Sequence, residues 1–210
     1  MNNTSKPIAE KLLQIKAIKL EPANHFTWAS GWYSPIYCDN RKTLSYHQIR
    51  TFIRDAFVDV IKTNYEDFDV VAGVATGAIA QGALVADKLE KPFVYVRSQP
   101  KDHGMGNMIE GTVEKGQKVL VVEDLISTGG SSLNAVKALR DAGCEVVGMV
   151  AVFTYNFQKA IDAFNKENVK LITLSNYEDL VEKAIEIGYV SQSDLELLKE
   201  WRLSPETWKK

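Results

Sequence analysis

Four short apolar runs constrain the fold of this chain more than any other feature: "FDVVAGVA", "PFVYVR", "KVLVVED" and "EVVGMVAVF". None alternates apolar with polar residues, so each reads as a strand covered on both faces rather than one lying half in water. Helical patterns at 78–89 and 130–142 fall between the first and second runs and between the third and fourth. Strand and helix alternating in this way predict an α/β core with a central, mainly parallel sheet flanked by helices. "VKLITLS" at 169–175 supplies a further strand, and two short helical patterns follow from Tyr177. Upstream, Ile8, Leu12, Leu13, Ile15 and Ile18 recur at helical spacing before Pro22. Ile49, Phe52, Ile53, Phe57, Val60 and Ile61 stripe a second helix over 46–65. Between these helices, "HFTWASGWYSPIYCDNR" at 25–41 is rich in aromatic and β-branched residues around one Ser-Gly turn, which predicts short strands or a hairpin placed to hood a site.

Length and charge narrow what such a fold can do. At 210 residues, one domain spanning 1–210 is expected. No apolar run approaches the roughly 20 residues of a membrane helix, and the start "MNNTSKPIAEK" has no apolar signal core, which predicts a cytoplasmic protein with no membrane partner. Cys38 and Cys144 lie far apart and match no metal-ligand spacing, so they carry no assigned chemistry. A formal net charge of -2 argues against a nucleic-acid surface, so any anion binding must be local.

Ligands of open α/β sheets gather at the carboxyl ends of the strands. In "GVATGAIAQG", Gly73, Thr76 and Gly77 permit a tight turn into a helix whose first N–H groups are free for an anion. In "EDLISTGG", Ser127, Thr128, Gly129 and Gly130 offer hydroxyls, unhindered N–H groups and a helix N-terminus, the parts of a phosphate cup. The Gly-Lys-Ser/Thr of a Walker loop and the G-x-G-x-x-G of a dinucleotide fold are both missing. Glu123 and Asp124 stand directly before the cup, where bare carboxylates would repel a phosphate unless they faced another portion of the ligand. Carboxylates accept hydrogen bonds from hydroxyls. A ribose 5-phosphate fits, with its phosphate on the cup and its 2- and 3-hydroxyls on Glu123 and Asp124 or on a metal near them. Taken singly, a plain strand-to-helix turn or a capping turn would explain the same residues.

"VLVVEDLISTGGSS" resembles the signature of the type I phosphoribosyltransferases, and "YVRSQPKDHGMGNMIEG" and "FTWASGWYSPIYCDNR" resemble the orotate-specific branch of that family. The three motifs occur in the family's order between about residues 25 and 155. The resemblance implies the type I phosphoribosyltransferase fold with a small N-terminal hood, formed mainly by about 1–45. It implies transfer of the phosphoribosyl group of phosphoribosyl pyrophosphate (PRPP) to orotate, giving orotidine 5-monophosphate and pyrophosphate in pyrimidine synthesis. Magnesium carried by PRPP, without a direct protein ligand, and a homodimer whose loop 98–110 completes the neighbouring subunit's site are implied as well.

Residue by residue, the resemblance places Lys101, His103 and Asp124 in catalysis. Arg97, Lys101 and His103 meet PRPP together with Glu123, Asp124, Leu125, Ile126, Ser127, Thr128, Gly129, Gly130 and Ser131, and Ala75, Thr76 and Gly77 form the pyrophosphate loop. Ser127 falls where the family contacts orotate, and the hood aromatics Trp28, Trp32, Tyr33 and Tyr37 would lie beside the ring. Ala29, Ser98 and Tyr155 depart from basic residues that some members carry. Arg41 and the N–H groups of the Ser127 loop are therefore the candidates for the orotate carboxylate. His25 and His47 match no catalytic position. A salvage phosphoribosyltransferase for a purine or uracil would fit the cup but not "SPIYCDNR" or "KDHGMGN". A PRPP-sensing regulator that binds nucleic acid would need a basic face that this chain lacks.

Overall fold

The computed structural model describes residues 4–65, 67–99 and 108–209. Its first helix, α1 (Ser5–Gln14), is shorter than the apolar spacing suggests: Lys16 turns into the left-handed region at φ 54° and Ile18 opens a strand, β1 (Ile18–Leu20). Spacing alone cannot separate the two outcomes, because Ile18 is wholly buried as a strand residue too. The aromatic stretch becomes β2 (Phe26–Thr27) and β3 (Tyr33–Ser34), an antiparallel hairpin. Its turn holds Gly31 at φ 83°, a conformation that favours glycine. Then β4 (Ile36–Cys38) runs antiparallel to β1. A 3-10 turn (Asn40–Ser45) leads into α2 (His47–Asn64).

Every long apolar run enters one six-stranded sheet. Its strands are β5 (Val70–Val74), β6 (Phe93–Val96), β7 (Ile109–Glu110), β8 (Lys118–Ile126), β9 (Glu145–Thr154) and β10 (Leu171–Asn176). They lie in the order β10-β9-β8-β5-β6-β7, all neighbours parallel except β6 and β7. The two-residue edge strand β7 has no apolar pattern of its own and was not foreseeable. The crossovers are α3 (Ile79–Leu89), α4 (Gly130–Asp141) and α5 (Gln158–Lys166), and α6 (Tyr177–Glu186) and α7 (Leu195–Leu203) complete the chain. The sequence reading did not anticipate α5, which buries Ala160 and Phe164.

Successive side chains of a strand point to opposite faces, and β8 shows why its sequence does not alternate. Leu120 and Val122 pack into the larger core with α1, α2, α3, α6 and α7, while Val119 and Val121 pack into the smaller one with α4 and α5. Of the segment expected to form the hood, α1 lies on α6 and β10. The β2–β3 hairpin is clipped down by α7. Trp201 is wholly buried, its ring lies 5.6 Å from Trp28 and 5.8 Å from Tyr155, and its Nε1 donates to the Tyr33 carbonyl at 3.1 Å.

Candidate active site

Glu123 and Asp124 were expected to close the apolar strand, but β8 continues through them to Ile126. Their carboxylates nonetheless meet different partners, although the two stay close enough to interact. Glu123 turns toward α4 and is buried: its Oε1 accepts the Asp124 N–H at 2.8 Å and its Oε2 accepts the Ser132 hydroxyl at 2.8 Å. Burial, and then the neighbouring Asp124 carboxylate, push the Glu123 carboxyl well above the usual carboxylate range. Asp124 is half-buried and reaches the loop after β5, its carboxylate resting where a Cβ on Gly77 would be. The two acids are thus not equivalent: one braces the loop behind the site and the other faces the site.

A raised carboxyl in the folded state favours the protonated form, so ionising Glu123 costs stability as pH climbs out of the ordinary carboxylate range. Glu123→Gln, which is neutral throughout, is expected to match the parent's melting temperature near pH 4 and to exceed it by a growing margin toward pH 8. Melting curves across that range check this, and a margin that shrinks with pH would contradict it.

The loop after β8 is short because Gly129, at φ 82°, turns the chain straight into α4. A Cβ there would meet the Phe164 ring at 2.9 Å, so glycine is required by both backbone and packing. Among the described residues, no acceptor is found for the N–H groups of Thr128, Gly129, Gly130 or Ser131. Nothing lies within 4 Å of a Cβ built on Gly130. Free N–H groups at the positive end of a 12-residue helix, with open space before them, form an anion cup. The Ile126 side chain points into the core and is wholly buried.

The ends of β5 and β6 adjoin this cup. Ala75 donates its N–H to the Val96 carbonyl at 2.8 Å, the Ala75–Thr76 peptide is cis, and Thr76 is exposed. Arg97 follows β6, donates its N–H to the Met108 carbonyl at 2.8 Å, and holds its guanidinium 3.7 Å from Glu110. Lys101 and His103 lie outside the described residues.

A cleft of about 280 Å³ opens beside the cup, between the hood and the sheet. Trp28, Ala29, Tyr37 and Cys38 line it from the hood, and Leu125, Ser127 and Tyr155 from the sheet side. Two of the four hood aromatics expected at the ring are thus in its wall. Trp32 lines a separate cavity, and Tyr33 packs edge-on to His25 at 4.5 Å. Arg41 is not in the wall; its Nε donates to Asp39 at 2.7 Å. His47 is exposed at the start of α2.

Cys38, assigned no chemistry by its spacing, is part of the cleft wall. Burial first, then the Asp124 and Asp39 carboxylates, push its thiol well above the ordinary range, so it stays protonated and donates to Asn40 Oδ1 at 3.3 Å. Asn40, passed over in the sequence, is buried and donates to the backbone carbonyl of Asp124. Its only advance signal was its place two residues beyond the apolar "PIYC".

Residues 43–191 match the phosphoribosyl transferase domain family. An orotate phosphoribosyltransferase of Porphyromonas gingivalis is 60% identical over 208 residues, covering 99% of this chain and 99% of that protein. Among solved structures, the orotate phosphoribosyltransferase of Aeropyrum pernix superposes with a TM-score of 0.75 at 27% identity, over 88% of this chain and 99% of that one. The Mycobacterium tuberculosis orotate phosphoribosyltransferase in complex with PRPP superposes with a TM-score of 0.65 at 27% identity, over 83% of this chain and 97% of that one.

Proposed function

This chain belongs to the orotate phosphoribosyltransferases, and on that footing we propose how its own residues divide the work. The reaction joins orotate N1 to C1 of the phosphoribosyl group of PRPP, giving orotidine 5-monophosphate and pyrophosphate, a step of pyrimidine synthesis. One observation carries the division of roles: Ser127 belongs both to the anion-cup loop and to the wall of the aromatic cleft. A phosphoribosyl group seated on the cup and a flat base lying in the cleft would therefore meet at C1.

In this reading the 5-phosphate takes the N–H groups of Thr128, Gly129, Gly130 and Ser131, while Leu125 and Ile126 shape the strand end beneath it. Asp124 accepts a ribose hydroxyl, and Glu123 acts from behind by holding Ser132 and the Asp124 N–H. Pyrophosphate lies toward Ala75, Thr76, Gly77 and Arg97, with Lys101 and His103 from loop 98–110 completing its shell. In a homodimer that loop would serve the neighbouring subunit's site.

The C1–oxygen bond breaks with its electron pair passing to pyrophosphate, the N1 proton passes to an oxygen of that departing pyrophosphate, and N1 closes on C1. Positive charge grows on the sugar, where the Asp124 carboxylate stabilises it, and negative charge grows where Arg97, Lys101 and His103 gather. Orotate lies between Trp28 and Tyr37 on the hood side and Leu125 on the sheet side. Its carboxylate is met by Ser127, the loop residue that also lines the cleft; Arg41 would join only by leaving Asp39.

Among the described residues no group of three or more His, Cys, Asp or Glu could hold a metal ion, and Glu123 already spends both oxygens within the protein. Of the two acids, Asp124 is the one turned to the site, which suits a magnesium ion brought in with PRPP. Bound that way, the ion would neutralise charge on the departing pyrophosphate. No helix among the described residues is long and apolar enough to cross a membrane. Cytoplasmic residence is part of the proposal and rests on two cysteines that are both free thiols.

Ultraviolet depletion of orotate by the purified protein, with PRPP and magnesium present, tests the reading. Orotate is expected to be consumed only when both are added, with uracil, adenine and hypoxanthine left unchanged. Turnover of another base in place of orotate would overturn the role given to the cleft.

A further inference from the structure

Asn40 opens the 3-10 turn behind the hood and is 3% exposed. Its Nδ2 donates to the Asp124 backbone carbonyl at 2.7 Å, across 84 residues of chain. Its Oδ1 accepts the Cys38 thiol at 3.3 Å, and its own carbonyl accepts the Thr43 hydroxyl at 2.6 Å. Thr43, also buried, receives Gln81 Nε2 at 3.4 Å from α3. One buried polar chain therefore links the wall of the base cleft, the backbone of the ribose-facing acid, and the helix that follows the 75–77 loop.

The Asp124 carbonyl is available for a topological reason. Pairing of β5 with β8 ends at Gly73 opposite Val122, so β8 runs on without a β5 partner on that side. A buried carbonyl left without a donor is costly, and the hood supplies that donor through Asn40. With its carbonyl held by the hood and its carboxylate resting on Gly77, Asp124 is fixed from two directions.

We propose that Asn40 is a positioning residue for the transfer reaction: it ties Asp124 to the Cys38 wall of the cleft, so that the ribose and base subsites keep one spacing. This rests on the reading of Asp124 as the ribose-facing carboxylate. Asn40 touches neither substrate and acts through Asp124.

Asn40→Ala and Asn40→Asp test this, with Asp124→Asn as the reference. Kinetics with PRPP, orotate and magnesium are paired with melting curves. Asn40→Ala is expected to lower kcat/KM for PRPP by about 10- to 100-fold, the scale of a misplacement near 1 Å. Asn40→Asp keeps the shape and the acceptor for Cys38 but loses the donor when ionised, so at pH 8 it should do no better than alanine. Lowering the pH protonates the introduced carboxyl, whose O–H can again donate to the carbonyl. Its activity relative to the parent should then recover, while that of the alanine variant should not.

A lowered melting temperature in Asn40→Ala with unchanged kinetic constants would make Asn40 a structural strut and overturn the proposal. Full activity of Asn40→Asp at pH 8 would overturn it as well, since the donor would then be dispensable. Unchanged PRPP kinetics in Asp124→Asn would remove the assignment of Asp124 itself, and the proposal with it, whatever the Asn40 variants show.

Discussion

Gly77→Ala is expected to lower kcat/KM for PRPP by roughly two orders of magnitude while leaving the melting temperature nearly unchanged. A Cβ at this position would overlap the Asp124 carboxylate, which is the far end of a side chain rather than backbone. The least costly relief is for the carboxylate to swing away, and nothing in the core has to move. Gly77 is not among the positive-φ residues, so alanine meets no backbone penalty there, and the loss of unfolded-chain freedom would tend to stabilise the fold. Stability and activity therefore separate: the fold survives and the acid leaves the ribose. A PRPP titration paired with a melting curve measures both. Parent-like kinetics would show that Asp124 works equally well in another rotamer, which would remove the reason for a glycine at 77.

The second large effect is one of stability that reaches the site from a distance. Trp201→Ala is expected to destabilise the fold by about 3–5 kcal/mol, a fall in melting temperature on the order of 10 °C for a chain of this size. Trp201 is wholly buried among the rings of Trp28, Tyr155, Phe157 and Tyr177. Truncation would leave a cavity at the junction of hood and sheet and free the Tyr33 carbonyl of its donor. Trp28 and Tyr155 both line the base cleft, so KM for orotate should rise more than KM for PRPP. Trp201→Phe keeps most of the ring packing and loses the N–H, and should fall between parent and alanine. Denaturant unfolding and the two KM values check this; a change in melting temperature under about 2 °C would mean that the cluster repacks without Trp201.

Legibility in the sequence followed the range of the interaction. The runs that became β5, β6, β8 and β9 were readable because burial on both faces demands continuous apolar residues. The cup was readable because Ser127, Thr128, Gly129 and Gly130 are neighbours in the chain and α4 begins among them. Ile18 was misplaced because a buried apolar residue satisfies helix and strand equally. β7 was invisible because two residues carry no period, and α5 was passed over although its buried Ala160 and Phe164 lie four residues apart. Within the candidate site, Trp28, Tyr37, Ser127 and Asp124 were anticipated, while Asn40 and Cys38 were not. The partners of those two are set by how hood and sheet dock.

By itself, the sequence determined the α/β layering, the parallel sheet and the tight loop that opens α4, because each depends on residues close together in the chain. Only the tertiary structure decided which of two adjacent acids faces the candidate site. That choice depends on what each acid meets across the chain: the Ser132 hydroxyl of α4 takes Glu123, and the space left by Gly77 takes Asp124. It also decided that Asn40 reaches Asp124 across 84 residues and that Trp201 reaches Tyr33 across 168. Contacts of that span arise from the packing of whole elements, and no local periodicity encodes them.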